Sequence, residues 1–308
     1  MRQTAINAVY ALAQRDSRVT FIGSDLSPGL LDAMKQSYPD RFYMEGVSEA
    51  HVIGMAAGMA MEGYMPFVNT IATFLTRRCF DQVAIDVCLE NLPVRLLANG
   101  GGVVYAPLGP THLATEDIAI LRALPNMTIV APVDAMEMGR LMDATLSWPG
   151  PIYIRIAKGG DPIVSRPDLP FAIGKAIEMR EPGDITLIAT GIMTNRALTL
   201  ADALKAEGVR CGVLHMHTVK PLDDAAVLEA ARQGKLLVSM EEHSIIGGLG
   251  TAIAELLSDH GATTRLLRLA LPDRFPVGYG SQDHLLSEAG LSVPEMLARI
   301  RASLAALG

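Results

Sequence analysis

The chain is poor in the residues that mark secreted, nucleic-acid-binding and membrane proteins. Its 308 residues include three cysteines, Cys79, Cys88 and Cys211. An odd number without metal-ligand spacing excludes a disulfide framework or a zinc finger, and reads as free thiols in a reducing compartment. Basic clusters are missing. Arg77-Arg78 is only a pair, and 33 acidic residues against 26 Lys and Arg give a net charge of −7. That balance argues against a nucleic-acid partner, which needs a basic face. Gly, Pro or a charge interrupts every long apolar run short of the ~20 residues that span a bilayer, so no membrane segment is expected. Met1-Arg2-Gln3-Thr4-Ala5 opens into a helical pattern without the features of a signal peptide, and the expected location is cytoplasmic. Aromatics make up only 5% of a chain that is half hydrophobic and carries 16 Met. This composition suits a compact protein with an adaptable, helix-rich core. The length suggests roughly two domains.

Helical and strand patterns alternate from end to end. Helical periodicity over 3–14 precedes a short apolar strand, Val19–Gly23. Further strands fit Phe42–Glu45, Pro66–Asn69, Pro93–Ala98, Thr128–Ala131 and Ile152–Ile156. Helices fit 49–62, 74–90, 116–123 and 134–146, and a glycine-rich stretch occupies 99–110. Residues 157–183 break the rhythm with Gly159-Gly160-Asp161-Pro162, Pro167, Pro170 and Pro182-Gly183, which mark a linker. A second series follows, with strands at Ile185–Thr190, Arg210–Leu214, Lys235–Ser239 and Arg265–Arg268. Its helices fit 194–207, 223–232, 249–259 and 292–306. Such alternation predicts an α/β protein of two domains, 1–165 and 184–308 joined by a linker at 166–183, each a mostly parallel sheet covered by helices.

Open parallel sheets bind ligands at the carboxyl ends of their strands. In the first domain those ends are Asp25, Glu45–Glu49, Asn69–Phe74, Asn99–His112 and Arg155–Lys158. The polar residues of interest therefore gather at one sheet edge. Glu49 is the most informative of them. It precedes a segment of small and apolar residues, including Ala56, Ala57, Gly58 and Ala60, against which another group can pack closely. A carboxylate in apolar surroundings is suited to exchange a proton near neutral pH. In the first turn of a helix it also offsets the helix dipole.

Four segments read together carry a family resemblance: Gly23-Ser24-Asp25-Leu26, Gly46-Val47-Ser48-Glu49, Thr73-Phe74-Leu75-Thr76-Arg77-Arg78-Cys79-Phe80-Asp81-Gln82-Val83, and Gly109-Pro110-Thr111-His112. Their order and spacing resemble the C-terminal half of transketolases, and still more the corresponding half of deoxyxylulose-phosphate synthases. The resemblance covers essentially the whole chain, as a pyrimidine-binding domain followed by a transketolase C-terminal domain. It implies thiamine diphosphate as cofactor, with Glu49 at the aminopyrimidine ring nitrogen and Phe74 against the ring. Arg77 and Phe80 would line the same pocket, although the spacing of Phe80 also fits a buried helix face. Asp25 matches an acid near the cofactor and the subunit contact, or caps a turn. His112 matches the family's substrate-facing histidine, and His51 a histidine that the synthases also carry. Arg155 and Lys158 stand where the family holds a substrate phosphate, or are solvated charges at a strand end.

The departures bear on substrate. Leu108 replaces the aspartate of the family's Asp-Gly-Pro-Thr-His, which reads a sugar hydroxyl. Asn99-Gly100-Gly101-Gly102 lacks an upstream histidine of transketolases, and Gly29 stands where they commonly carry a phosphate-contacting serine. The family's metal motif, Gly-Asp-Gly followed by Asn, has no counterpart, although a magnesium ion on a diphosphate needs such oxygens. The resemblance therefore implies half an enzyme: a split transketolase whose N-terminal, diphosphate-binding subunit supplies the Mg2+ ligands, with two copies of each chain. Ketol transfer between small-molecule sugars is the leading expectation. A synthase half or the beta subunit of a 2-oxoacid dehydrogenase is the alternative, and a non-catalytic structural subunit is the third. In the second domain, His215, His217 and His243 with Glu241 and Glu242 invite a metal reading, but Thr218-Val219-Lys220-Pro221 looks like a strand-to-loop exit, and structural roles are expected.

Overall fold

A computed structural model of the chain describes residues 1–24, 29 and 31–307. Asp25 lies outside these described residues. Twelve strands are found among them: β1 Val19–Gly23, β2 Phe42–Met44, β3 Met65–Ile71, β4 Arg95–Asn99, β5 Thr128–Val130, β6 Ile152–Ile156, β7 Ile177–Arg180, β8 Ile185–Ala189, β9 Cys211–His215, β10 Thr218–Lys220, β11 Leu236–Ser244 and β12 Arg265–Leu271. Seven form one sheet in the order β10-β5-β6-β4-β3-β1-β2, and five form a second, β12-β11-β8-β9-β7. All pairings are parallel except the edge contacts of β10 with β5 and β7 with β9. The chain is thus α/β with two mostly parallel sheets flanked by helices. Strands β4 and β6 are buried along their whole length, as strands covered on both faces must be. Their apolar runs are the reason the first series was legible.

Helix Glu49–Met61 shows how packing overrides propensity. Gly54, Gly58 and β-branched Val52 and Ile53 weaken it intrinsically. Burial of Val52, Ile53, Ala56, Ala57 and Ala60 offsets this. Gly63, at φ +92°, lets the chain turn out of the helix without steric strain.

Three elements differ from the pattern-based expectation. The helix expected over 74–90 is broken into Ala72–Thr76, Phe80–Gln82 and a π-helical stretch, Val83–Leu89. At the break the Thr76 hydroxyl donates to Ala72 and Thr73 carbonyls, and the Cys79 thiol to those of Phe74 and Leu75. Side chains that bond to nearby backbone compete with the helical ladder. The stretch expected as linker already contains β7, which pairs with β9 at the sheet edge. The segment Thr218–Lys220, expected as a loop exit, returns as β10 to the sheet of the first domain.

The two sheets do not sit apart. One hydrophobic cluster runs from Val52 and Leu75 through Ile118 and Leu121 to Val219, Leu249 and Ile253. Polar bridges cross the same boundary. His215 on β9 meets Glu137 at 2.8 Å and Thr194 at 2.6 Å, with both ionisable groups buried. His217 stacks on Phe171 at 4.4 Å, and burial pushes its pKa down to about 4. His243 Nε2 accepts the Ala119 N–H, and its Nδ1 donates to the Ser244 carbonyl. The Glu241 carboxylate accepts the N–H groups of Leu249 and Gly250 at the start of helix Leu249–Asp259, where the helix dipole favours an anion. These residues tie elements together. Among the described residues, no group of three or more His, Cys, Asp or Glu is placed to hold a metal ion, and no helix is long and apolar enough to cross a membrane.

Candidate active site

Glu49 opens helix Glu49–Met61 and is only 5% exposed. The turn before it is shaped by Ser48, whose hydroxyl donates to the Glu45 carbonyl at 3.0 Å. The carboxylate is not surrounded by apolar groups alone. Arg78 Nη1 stands 3.2 Å from one oxygen and 3.4 Å from the other. The same guanidinium lies over the Phe74 ring, 3.8 Å from its centroid. Phe74 in turn meets the His112 imidazole edge-on, at 5.4 Å and 66°. Glu49, Arg78, Phe74 and His112 therefore form one line at the carboxyl edge of the first sheet.

Local structure explains the placement. Phe74 lies on the short helix Ala72–Thr76 that follows β3 directly. Buried Asn99 donates to the Asn69 side chain at 2.6 Å and to the Thr70 carbonyl at 3.1 Å, which locks the ends of β3 and β4 together. His112 ends a short turn, Pro110–His112, where its Nδ1 meets the Thr111 hydroxyl at 3.0 Å.

The other expected residues fall outside this line. Arg77 turns away and makes a two-point ion pair with Glu116, whose Nη2–Oε2 contact is 2.8 Å. Both line a cleft of about 1070 Å3 between the domains, together with Thr115, Ser244, Phe275 and Leu285. Phe80 is 36% exposed and so is not the buried core residue that its spacing also allowed. His51 is exposed beside Glu45, its Nε2 3.9 Å from that carboxylate. Arg155 and Lys158 do not act as a pair. Lys158 is exposed, whereas Arg155 is buried and its Nε lies 2.7 Å from Asp117. Arg155 Nη2 donates to Asp117, to the Ala114 carbonyl and to the Glu242 carbonyl. Tyr153 also donates to Asp117, at 2.7 Å. Burial opposes the Asp117 charge most strongly of any single effect, but Arg155, His243 and the Tyr153 hydroxyl together outweigh it and hold the carboxyl below its usual range. Reading a strand-end arginine as a phosphate ligand neglects that a buried guanidinium needs a carboxylate of its own.

Arg78 was the residue most easily missed. It stood inside a motif already singled out, but was read only as half of a basic pair. The available signal is an arginine close after an aromatic: beyond the end of helix Ala72–Thr76 the chain bends and brings the guanidinium over the Phe74 ring. Exposed apolar side chains lie on the elements that carry this site, Val47 just before Glu49, Met61 at the far end of its helix, and Ile85 and Leu89 on the π-helical stretch.

A buried acid thus opens a small-residue helix, with an aromatic ring just past the end of the next strand. Residues 1–160 match the transketolase pyrimidine-binding domain, and residues 174–296 match the transketolase C-terminal domain. The chain belongs to the transketolase family. It is similar to the transketolase family protein y4mN of Sinorhizobium fredii, with 39% identity over 299 residues that cover 96% of this chain and 86% of the relative. It is 36% identical to the 6-deoxy-6-sulfo-D-fructose transketolase subunit SqwH of a Clostridium species, covering 96% and 92% of the two chains. A 1-deoxy-D-xylulose-5-phosphate synthase of a Synechococcus species is 38% identical, and the chain spans only 46% of its length. Among solved structures, a split-gene transketolase described as an inactive beta4 tetramer superposes with a TM-score of 0.89 at 33% identity, covering 99% and 97% of the chains.

Proposed function

We propose that this chain is the pyrimidine-side subunit of a thiamine-diphosphate-dependent transketolase made of two separate chains, moving a two-carbon ketol unit between ketose- and aldose-type substrates. The observation that carries this reading is the line from Glu49 to His112. An aminopyrimidine needs an aromatic face and, at its edge, a carboxylate that can share a proton with the ring nitrogen. Phe74 and Glu49 supply both, one on each side of the Arg78 guanidinium, and stacking on Phe74 is worth about 1 kcal/mol beyond area burial. When bound, the cofactor supplies the carbon nucleophile of the reaction. Glu49 holds the proton at the ring nitrogen. His112, on the far side of Phe74, moves protons to and from substrate hydroxyls. Lys158 and His51 are the exposed groups offered to substrate, and Asp25 an acid near the cofactor. Arg77 borders the cleft between the domains, Phe80 is an exposed ring on the segment that follows Phe74, and Arg155 acts through the buried pair that shapes the strand end.

The diphosphate and Mg2+ are assigned to a partner subunit, with two copies of each chain. The exposed apolar side chains on the elements that carry the site support an interface there, and so does the likeness to a split-gene transketolase. Leu108 is exposed at the position where the family reads a sugar hydroxyl, which favours substrates other than ordinary pentose phosphates. The similarity to a subunit acting on a sulfonated sugar points the same way. A second reading, a synthase-like half acting on a 2-oxoacid such as pyruvate, draws on the 38% identity to deoxyxylulose-phosphate synthase. Turnover of pyruvate but not of ketose donors by the assembled complex would favour it.

The isolated chain is expected to bind thiamine diphosphate weakly, because its net charge of −7 opposes an unneutralised diphosphate. Addition of a diphosphate-domain subunit and magnesium should restore binding in calorimetry. Micromolar binding by the chain alone would overturn the split-subunit reading.

Arg78 lies over one face of the Phe74 ring, and an aminopyrimidine stacked on that face displaces it. A cation over an aromatic ring contributes about 0.5–1 kcal/mol at an exposed site, so Arg78→Ala is expected to tighten cofactor binding by roughly two- to fivefold in the complex. Weaker binding in that variant would make Arg78 a cofactor ligand instead.

A further inference from the structure

The second domain grips the loop that carries His112. Glu242, on β11, is 2% exposed. Its carboxylate accepts the Val103 N–H at 2.7 Å, and both its oxygens lie 2.9 Å from the amide nitrogen of Gln282. The backbone packs directly on this carboxyl. A Cβ at Gly102, which adopts φ +69°, would come within 2.5 Å of Glu242 Cδ. A second contact closes the other end of the loop. A Cβ at Gly109, at φ +79°, would fall 2.6 Å from the Tyr279 ring. Gly102 and Ala114 exchange two 2.9 Å backbone hydrogen bonds and close the loop at its base. Tyr279 and Gln282 belong to the same stretch of the second domain, just before and at the start of helix Gln282–Glu288.

We propose that Glu242, with Gln282 and Tyr279, is a positioning group for His112: the second domain holds residues 102–112 in the shape that sets the imidazole against Phe74. The inference rests on the role given to His112 above. Its physical basis is the uneven restraint along the loop. Val103, Val104 and Ala106 are buried and anchor its first half, whereas Pro107, Leu108 and Thr111 are exposed and leave the half next to His112 dependent on the contacts of the second domain. A buried carboxylate is stable only where donors satisfy it, and here two of its donors are the loop backbone and Gln282. Arg155 from β6 and Arg196 from helix Met193–Ala206 are the charged groups that face it. Burial still pushes its carboxyl up to about 6. Below that pH one oxygen carries a proton and the charge that strengthens the contacts with Gln282 and Val103 is lost, so the grip weakens on mild acidification.

Two measurements test this. The first is hydrogen exchange of the chain itself across 102–112. Tyr279→Ala lies at the surface and Gln282→Ala at a half-buried position, and neither removes a residue of the hydrophobic core. Loss of a hydrogen bond to a charged acceptor is expected to speed exchange at Val103 about tenfold in Gln282→Ala. The native chain should also lose protection there between pH 7 and pH 5. In Glu242→Gln that pH dependence should vanish, while a turned Gln282 amide preserves the contact. The second measurement is steady-state kinetics of the assembled complex. Gln282→Ala and Tyr279→Ala should lower kcat severalfold with cofactor affinity unchanged, and Glu242→Gln should retain most of kcat. An active native complex whose kcat is untouched by either variant would overturn the inference. So would exchange rates across 102–112 that do not change. A native complex with no ketol transfer at all would instead overturn the functional reading on which the role of His112 rests.

Discussion

Glu49→Gln is expected to reduce turnover by about a hundredfold or more in the assembled complex while leaving the fold intact. The amide keeps the shape of the side chain and its place at the start of helix Glu49–Met61. It cannot hold the proton that the reading requires at the aminopyrimidine nitrogen. Its structural cost is small. Removing an anion from a helix N-terminus costs about 0.3–1 kcal/mol, and the ion pair with Arg78, a side chain 48% exposed, is partly screened by solvent. Kinetics and a thermal melt of the same preparation separate the two effects. Near-native kcat in a folded Glu49→Gln complex would remove Glu49 from the mechanism.

The largest stability effect is expected at Asp117. This carboxylate is fully buried with Arg155 and Tyr153. Asp117→Ala leaves a buried guanidinium without its counter-charge, a change that costs about 3–5 kcal/mol. A lowered midpoint in denaturant at constant slope measures it. The pH dependence follows from the lowered carboxyl pKa. The stabilisation is fully present above the ordinary aspartate range and is lost as the pH falls through the lower folded value. Replacing both partners with apolar residues should cost less than replacing Asp117 alone, because the buried guanidinium is then removed as well, with the loss of Arg155 beside Glu242 as the remaining cost. A loss below about 1 kcal/mol in Asp117→Ala would show that the pair contributes little.

Much of the fold was legible because parallel strands buried on both faces leave continuous apolar runs. Strands β1, β4 and β6 and helix Leu249–Asp259 announce themselves in this way. Strands β7 and β10 did not, since each pairs antiparallel at a sheet edge with a partner distant in sequence. Three or four residues carry too little periodicity to reveal such a pairing. The broken helix after Phe74 was equally hidden, because hydroxyl and thiol contacts to nearby carbonyls decide it.

Local chemistry by itself determined the alternating α/β order, the division into two units and the choice of Glu49 as the residue worth following, while Phe74 and His112 were marked by the motifs that carry the family resemblance. Those residue types stand at strand ends and helix starts, which sequence order alone specifies. Tertiary structure decided which charges are free and which are spent. It paired Arg77 with Glu116 and Arg155 with Asp117, set Arg78 between Glu49 and Phe74, and brought Glu242 from the second domain under the loop of His112. The reason is physical. A charge has no fixed meaning in a sequence, because its role depends on burial and on the partner that burial demands, and both are set only when distant segments meet.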